Sequence, residues 1–247
     1  MGLRHGADPD HLAAIDNLTR NASERMPRAS RFVGTLFALG HAAMVLAIAM
    51  LAASVGSHVM ATSSTLERAG SIASIVVLGA MVVWNLVTLA LPSGARPSRA
   101  TFLPRALRDA RHPLVALPIG ALFGLGFETS SQLVAYGAAF SSAHASVGFA
   151  IGAAFCGGMI VTDTLDSLFV ARIVGGNAAA AARKRRPWIV VVTLVALAVA
   201  VLRISELLGG SPPFDEALLS AVTVALLAVT ALALLVRERL RVGRSAA

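Results

Sequence analysis

Six apolar runs alternate along this chain with connections that are by turns rich and poor in arginine, and no other feature constrains the fold as tightly. The runs are Phe32–Val55, Gly70–Leu91, Leu114–Phe140, Val147–Val174, Trp188–Leu202 with a few residues beyond, and Ala217–Val236. Each approaches the ~20 residues that a helix needs to cross about 30 Å of hydrocarbon. Residues 18–31, 92–113, 172–187 and the tail after 236 hold 18 of the 21 Lys and Arg; only Arg4, Arg68 and Arg203 lie elsewhere. Basic residues collect in cytoplasmic connections, so the alternation checks the spans independently of hydropathy and puts the C-terminus in the cytoplasm. The expected fold class is all-α: a polytopic membrane bundle of about seven segments, six strong and one polar, forming a single domain over residues 1–247. Charged residues make up 14% of the chain against about 25% in soluble domains. The net charge of +8 is therefore read as orientation in a lipid bilayer, with no nucleic-acid partner. Arginine far outnumbers the single lysine and alanine is abundant, a bias compatible with a GC-rich bacterial genome and a plasma-membrane location. The one cysteine, Cys156, excludes an internal disulfide and a thiolate cage.

The polar segment is the N-terminal one. Residues 1–17 carry Arg4, His5, Asp8, Asp10, His11 and Asp16, too many charges for this piece to insert alone and too polar a stretch for a cleaved signal. Asp8-Pro9 reads as an N-cap followed by proline at the first helical position. His11 then falls in the first turn, and His5 and Asp8 on broken backbone before it. Broken backbone at membrane depth is tolerated where it lines a cavity. Two imidazoles with two carboxylates have the donor character of a divalent transition-metal site, or of a polar N-terminus satisfied by water.

Three further polar groups interrupt apolar runs, where ionisable residues face the protein interior and mark functional sites by default. His41 sits in FALGHAAMVL beside Gly40, either as a core histidine or as a ligand. Glu128 and Gln132 lie four apart on one helix face, with Ser131 and Tyr136 extending the strip. Asp163 and Asp166 lie three apart, with Met159 a turn earlier. Two buried carboxylates side by side repel unless a cation or an imidazole faces them. Gly120/Gly124 and Gly148/Gly152, followed by Gly157 and Gly158, fit close helix packing. Residues 175–187 read as a basic cytoplasmic linker.

Together and in order, these clusters resemble the NiCoT nickel/cobalt transporter family. Its signature, a His, four residues, then Asp-His, is matched by His5, Asp10 and His11, with Arg4 and Asp8 flanking. Leu39, Gly40 and His41 match the start of a second motif, with Ala42 and Ala43 where the family has Ser-Thr. Leu125–Gln132 matches a third, with Glu128 in place of Asp and Gln132 in place of Glu. Gly158, Met159, Asp163, Thr164 and Asp166 match a fourth, with Ser167 in place of Gly. The resemblance implies an eight-helix fold with the His/Asp motif in the second helix. It thereby favours a spanning N-terminal segment, and a chain that lacks the family's first helix or begins at an internal Met. It also implies uptake of Ni²⁺ or Co²⁺.

The expected function is secondary transport of Ni²⁺ or Co²⁺ into the cell, with His5, Asp8, Asp10, His11, His41, Glu128, Asp163 and Asp166 as the metal residues. Imidazole with carboxylate and no thiolate suits these ions. The metal is cargo, with no prosthetic group, no enzymatic step and, lacking a Walker motif, no nucleotide partner; the sequence assigns no oligomeric state. The alternatives are a metal- or proton-responsive accessory protein and a membrane-embedded metal-dependent hydrolase, which would need an open coordination position.

Overall fold

The structure, a computed structural model, describes residues 2–55, 57–90, 112–125, 145–175, 178–210 and 216–246. Glu128, Gln132, Ser131 and Tyr136, and the connection 92–111, lie outside the described residues. What is described is helical: α1 Gly2–His5, α2 Pro9–Ser23, α3 Val33–Val55 entered through a 3₁₀ turn Ala29–Phe32, α4 Ser57–Ala90, α5 Ala116–Phe123 after a 3₁₀ turn Pro113–Val115, α6 Ala145–Val174, α7 Ala178–Leu207 and α8 Glu216–Ala246.

Five stretches among the described residues are long and apolar enough to cross a membrane: Ala29–Ala47, Ser71–Ala90, Gly152–Val174, Arg183–Leu207 and Leu218–Leu240. They answer to five of the six apolar runs. Of the sixth, Leu114–Phe140, only the first part is described, and it opens as the short apolar helix α5. These helices carry many exposed Leu and Val side chains, such as Val76, Val83, Leu194, Val201, Val229 and Leu232, as lipid-facing surfaces do.

The N-terminal segment is accommodated differently. α2 has 15 residues, about 22 Å at 1.5 Å per residue, and is neither long nor apolar enough to be such a stretch. Every residue from Asp8 to Arg20 is buried. The helix packs against α6 and α7, with α3, α4 and α8 also touching it, and α1 lies on α6. Protein rather than lipid surrounds it. That is how a segment that hydropathy keeps out of the bilayer sits inside a membrane protein.

Two close approaches fix the helices around it. A Cβ on Gly34 would stand 1.7 Å from the carbonyl oxygen of Asp163, so α3 and α6 touch backbone to backbone beside that aspartate. A Cβ on Gly40 would meet the carbonyl oxygen of Leu117 at 1.9 Å, and one on Gly120 that of Phe37 at 2.0 Å, which seats α5 against α3 next to His41. Gly124 and Gly158 also face neighbouring chain, whereas Gly152 and Gly157 meet no described atom within 4 Å. Small-residue packing therefore holds at both ends of the Gly120/Gly124 pattern and at Gly158, and not at Gly152 or Gly157.

The basic stretch before Trp188 is helical. α7 starts at Ala178 and runs through Arg183–Arg186, because an alanine run followed by Arg and Lys is strongly helix-forming. The four basic residues reach the ends of four helices or the residue just past them: Arg183 Nη2 donates to Glu238 Oε1 at 2.6 Å, Lys184 Nζ to the Gly175 carbonyl at 3.4 Å, Arg185 to Glu24, and Arg186 Nη2 to the Leu89 carbonyl at 2.6 Å. The run gathers the ends of α8, α6, α2 and α4.

Candidate metal centre

The break between α1 and α2 positions the site. Asp8 has extended backbone (φ −65°, ψ 143°), Pro9 opens α2, and the Leu12 amide donates to the Asp8 carbonyl at 3.1 Å. The expected N-cap thus holds in the backbone. Its side chain does not cap the helix. One carboxylate oxygen, Oδ2, accepts from His5 Nδ1 at 3.0 Å, and the other, Oδ1, accepts from the Ser220 hydroxyl of α8 at 2.6 Å. Asp8 is an orienting partner. With Nδ1 of His5 donating to the carboxylate, Nε2 carries the lone pair, an arrangement that commonly fixes metal-binding histidines.

His5 Nε2 lies 3.3 Å from His41 Nε2. Two nitrogens bound at about 2.1 Å to one tetrahedral ion would stand roughly 3.4 Å apart, so the pair already has ligand spacing. His11 completes the group: one ring nitrogen from each of His5, His11 and His41 lies within 4.8 Å of the others. Ring centroids are 4.7 Å apart for His5 and His11, 4.9 Å for His11 and His41, and 5.2 Å for His5 and His41. All three are buried, His11 and His41 to within 1% of complete enclosure.

The surroundings are dry on one side and acidic on another. Phe37 and Phe123 stand edge-on to His11 at 5.1 and 6.1 Å, and Phe155 lies 5.4 Å from His5. Asp163, fully buried, brings Oδ1 to 3.6 Å from His11 Nδ1. That distance is too long for a hydrogen bond. Among the described residues neither His11 Nδ1 nor either oxygen of Asp163 has a hydrogen-bond partner. Buried polar groups are normally paired, and unpaired ones in a low-dielectric interior cost several kcal/mol. Imidazole nitrogen and carboxylate oxygen without hydrogen-bond partners among the described residues are donors that suit a divalent transition-metal ion.

The other carboxylates expected at the metal take separate places. Asp10 Oδ1 accepts from the His11 backbone amide at 2.9 Å, while Oδ2 faces Arg203. Asp166 is half-buried on α6 one turn beyond Asp163, with Oδ2 enclosed and without a hydrogen bond among the described residues. Ser167, where the resembled family has glycine, donates to the Arg31 carbonyl at 2.8 Å and ties α6 to the entry of α3. Sequence reasoning missed Ser220 and Arg203. Ser220 sits in an ordinary Ala/Ser/Thr-containing apolar helix and gave no signal. Arg203 did give one, as an arginine outside the basic connections.

A second buried polar cluster lies further along α2. Arg20 Nε donates to Asp16 Oδ2 at 2.7 Å and Nη2 to Asn85 Oδ1 at 3.1 Å; Asn17 Nδ2 donates to the same Asn85 oxygen at 2.9 Å; and the Trp188 indole donates to Asp16 Oδ1.

Comparison with known proteins gives the chain's family. The family model for high-affinity nickel-transport proteins, NicO, matches residues 1–236. The chain is 30% identical over 203 residues to a high-affinity nickel transport protein of Cupriavidus necator, covering 69% of this chain and 56% of that one. It is 31% identical over 204 residues to the cobalt transport protein NhlF of Rhodococcus rhodochrous, with 70% and 57% covered. It is 31% identical over 243 residues to the nickel transporter NicT of Mycobacterium tuberculosis, with 85% and 64% covered. The matched stretches thus take in between about half and two thirds of these relatives. No solved structure matches. A three-histidine cluster built on a His-x4-Asp-His segment, enclosed by apolar helices of spanning length, and a family match from the first residue to 236 lead to one assignment: this chain belongs to the NicO family of high-affinity nickel-transport proteins.

Proposed function

We propose that the chain moves Ni²⁺ or Co²⁺ into the cell across the bacterial plasma membrane as a secondary transporter. The observation that carries the reading is the convergence of His5, His11 and His41, with one nitrogen from each within 4.8 Å. The names of its relatives, for nickel and for cobalt, support the same cargo. In this reading the cation exchanges water for the three imidazoles. Asp8 holds His5 in the ligating tautomer, and Asp163 beside His11 supplies negative charge. Asp163 and then Asp166 form the onward station, and Glu128 adds charge from the segment after α5. The membrane potential is sufficient to drive uptake, since a divalent ion gains about 4.6 kcal/mol per 100 mV. The C-terminus and the basic stretches at 18–31, 92–113 and 172–187 lie in the cytoplasm.

The test is nickel and cobalt uptake by proteoliposomes holding the purified chain, with an imposed inside-negative potential. Potential-dependent accumulation that His11→Ala removes is expected. Uptake equal to empty vesicles would overturn the transport reading, and uptake unchanged by His11→Ala would remove the histidine cluster from it. Orientation is tested by single cysteines at Met26, Ser98, Ala179 and Ser245 in a Cys156→Ala background. All four should resist an impermeant thiol reagent applied to intact cells.

A further inference from the structure

Arg203 is one of the three arginines outside the basic connections, and it is directed at the candidate centre. It sits on α7 one turn before the helix ends at Leu207. Its Nη2 lies 3.8 Å from Asp10 Oδ2, and its Nη1 donates to Glu206 Oε2 at 3.1 Å. Asp10 is bound on its other side, where Oδ1 accepts from the backbone amide of His11. One carboxylate therefore stands between a permanent cation and the residue that carries a candidate ligand nitrogen. Guanidinium stays protonated at every relevant pH. Both partners are largely enclosed, with 18% and 13% of their side-chain surface exposed, so solvent screens the charge only in part.

We propose that Arg203 is a built-in competitor for the cargo: it neutralises Asp10 when the centre is empty, and it weakens divalent-cation binding enough for the ion to leave. This rests on the metal-centre reading above and adds a residue that sets affinity without touching the ion. Glu206 gives the design its reversibility. A guanidinium already held by a second carboxylate can loosen from Asp10 when a divalent ion draws on the same negative charge, without being left unpaired. Without Arg203, Asp10 acts on the ion alone, and the ion is held more tightly and released more slowly. Loss of a merely structural arginine has the opposite sign: less folded protein, and nickel binding per folded molecule that is unchanged or weaker.

The experiment is calorimetry with nickel chloride on the purified full chain, paired with uptake by proteoliposomes. Arg203→Met should tighten nickel binding about tenfold, a typical magnitude for coupling between two sites, and lower the maximal uptake rate. Arg203→Lys, which keeps the charge, should stay near the parent. In an Asp10→Asn background the Arg203→Met effect should fall below about twofold, because the shared carboxylate is gone. Glu206→Gln provides an independent arm: it commits Arg203 to Asp10 and should weaken nickel binding several-fold, which decides the matter even if Arg203→Met does not fold. A parent that binds nickel while Arg203→Met binds no more tightly, or Glu206→Gln no more weakly, overturns this inference alone. Tightening that persists in full in Asp10→Asn also overturns it. A parent that binds no nickel overturns the metal-centre reading, and this one with it.

Discussion

At His11, α2 presents an imidazole whose Nδ1 finds no hydrogen bond among the described residues, beside an aspartate with both oxygens in the same condition. At Asp16, five residues further along the same helix, both carboxylate oxygens are taken, one by Arg20 and one by Trp188, and Arg20 and Asn17 share Asn85 on α4. The two clusters are equally buried: His11, Asp163, Asp16 and Arg20 are all at most 2% exposed. Burial alone therefore does not tell a ligand site from a structural one; satisfaction does. A saturated network holds α2 to α4 and α7 and has nothing left to offer an ion. The histidine cluster, with His11 Nδ1 and both Asp163 oxygens lacking hydrogen bonds among the described residues, still has nitrogen and oxygen lone pairs to offer one.

The largest expected effect is on the saturated cluster. Arg20→Met leaves Asp16 charged and buried with one partner lost, and breaking such a pair costs about 3–5 kcal/mol of stability. Thermal unfolding in detergent should show it, and the double variant Asp16→Asn/Arg20→Met should recover much of the loss, because no charge is then left behind. Nickel affinity of the folded fraction should not change. Loss of nickel binding at full stability in Arg20→Met would break the comparison outright.

Next in size is the reverse case. His11→Ala removes one of three imidazoles and should weaken nickel binding by more than about a hundredfold, above the 10–100-fold typical of orienting partners. Unfolding should change little or improve, since an unpaired buried nitrogen is removed with the ring. His112→Ala serves as the contrast. His112 is exposed and, among the described residues, accepts from the Leu114 amide at the start of the 3₁₀ turn, so its loss should leave binding unaltered. Equal binding by His11→Ala and the parent would return the cluster to core packing.

How much of this was legible in the sequence differs between the same two clusters. The break at Asp8-Pro9, the first-turn place of His11 and the need of Asp163 for a facing cation or imidazole follow from local rules: proline at the first helical position, and repulsion between adjacent carboxylates. Those rules need only neighbours in sequence. That His41 joins His5 across 36 residues was open on residue chemistry alone, because a lone histidine in an apolar run has two readings. The approach of α3 to the α1–α2 break is what brings His41 to His5. Asp16 was visible as a charge but not as one end of a network, since its partner Trp188, and Asn85, which Arg20 and Asn17 share, lie in runs whose composition is simply apolar. The basic stretch 183–186 was legible as charge but not as part of α7, because charge patterning bears on the side of the membrane and is silent about helix starts.

Smaller effects sharpen the unsaturated side. Asp8→Ala frees His5 to rotate and to place its proton on Nε2, and should cost 10–100-fold in nickel affinity, as loss of an orienting carboxylate does. Asp8→Asn should fall between, since the amide oxygen still accepts from Nδ1.

Ser220 gives the smallest and most discriminating change. Its hydroxyl donates to Asp8 Oδ1 at 2.6 Å from α8, two steps away from any metal ion. A hydrogen bond to a charged group is worth roughly 1.5–3 kcal/mol, but Asp8 keeps its contact with His5, so only part of that reaches the ion. Ser220→Ala should weaken nickel binding by about threefold to tenfold, and Ser220→Thr, which keeps the hydroxyl, by less. In an Asp8→Ala background the Ser220→Ala effect should vanish, because the hydroxyl then has no carboxylate to hold. Calorimetry on the four combinations measures that coupling directly. Additive losses would mean that Ser220 acts through helix packing instead, and that the order running from α8 through Asp8 to His5 is absent.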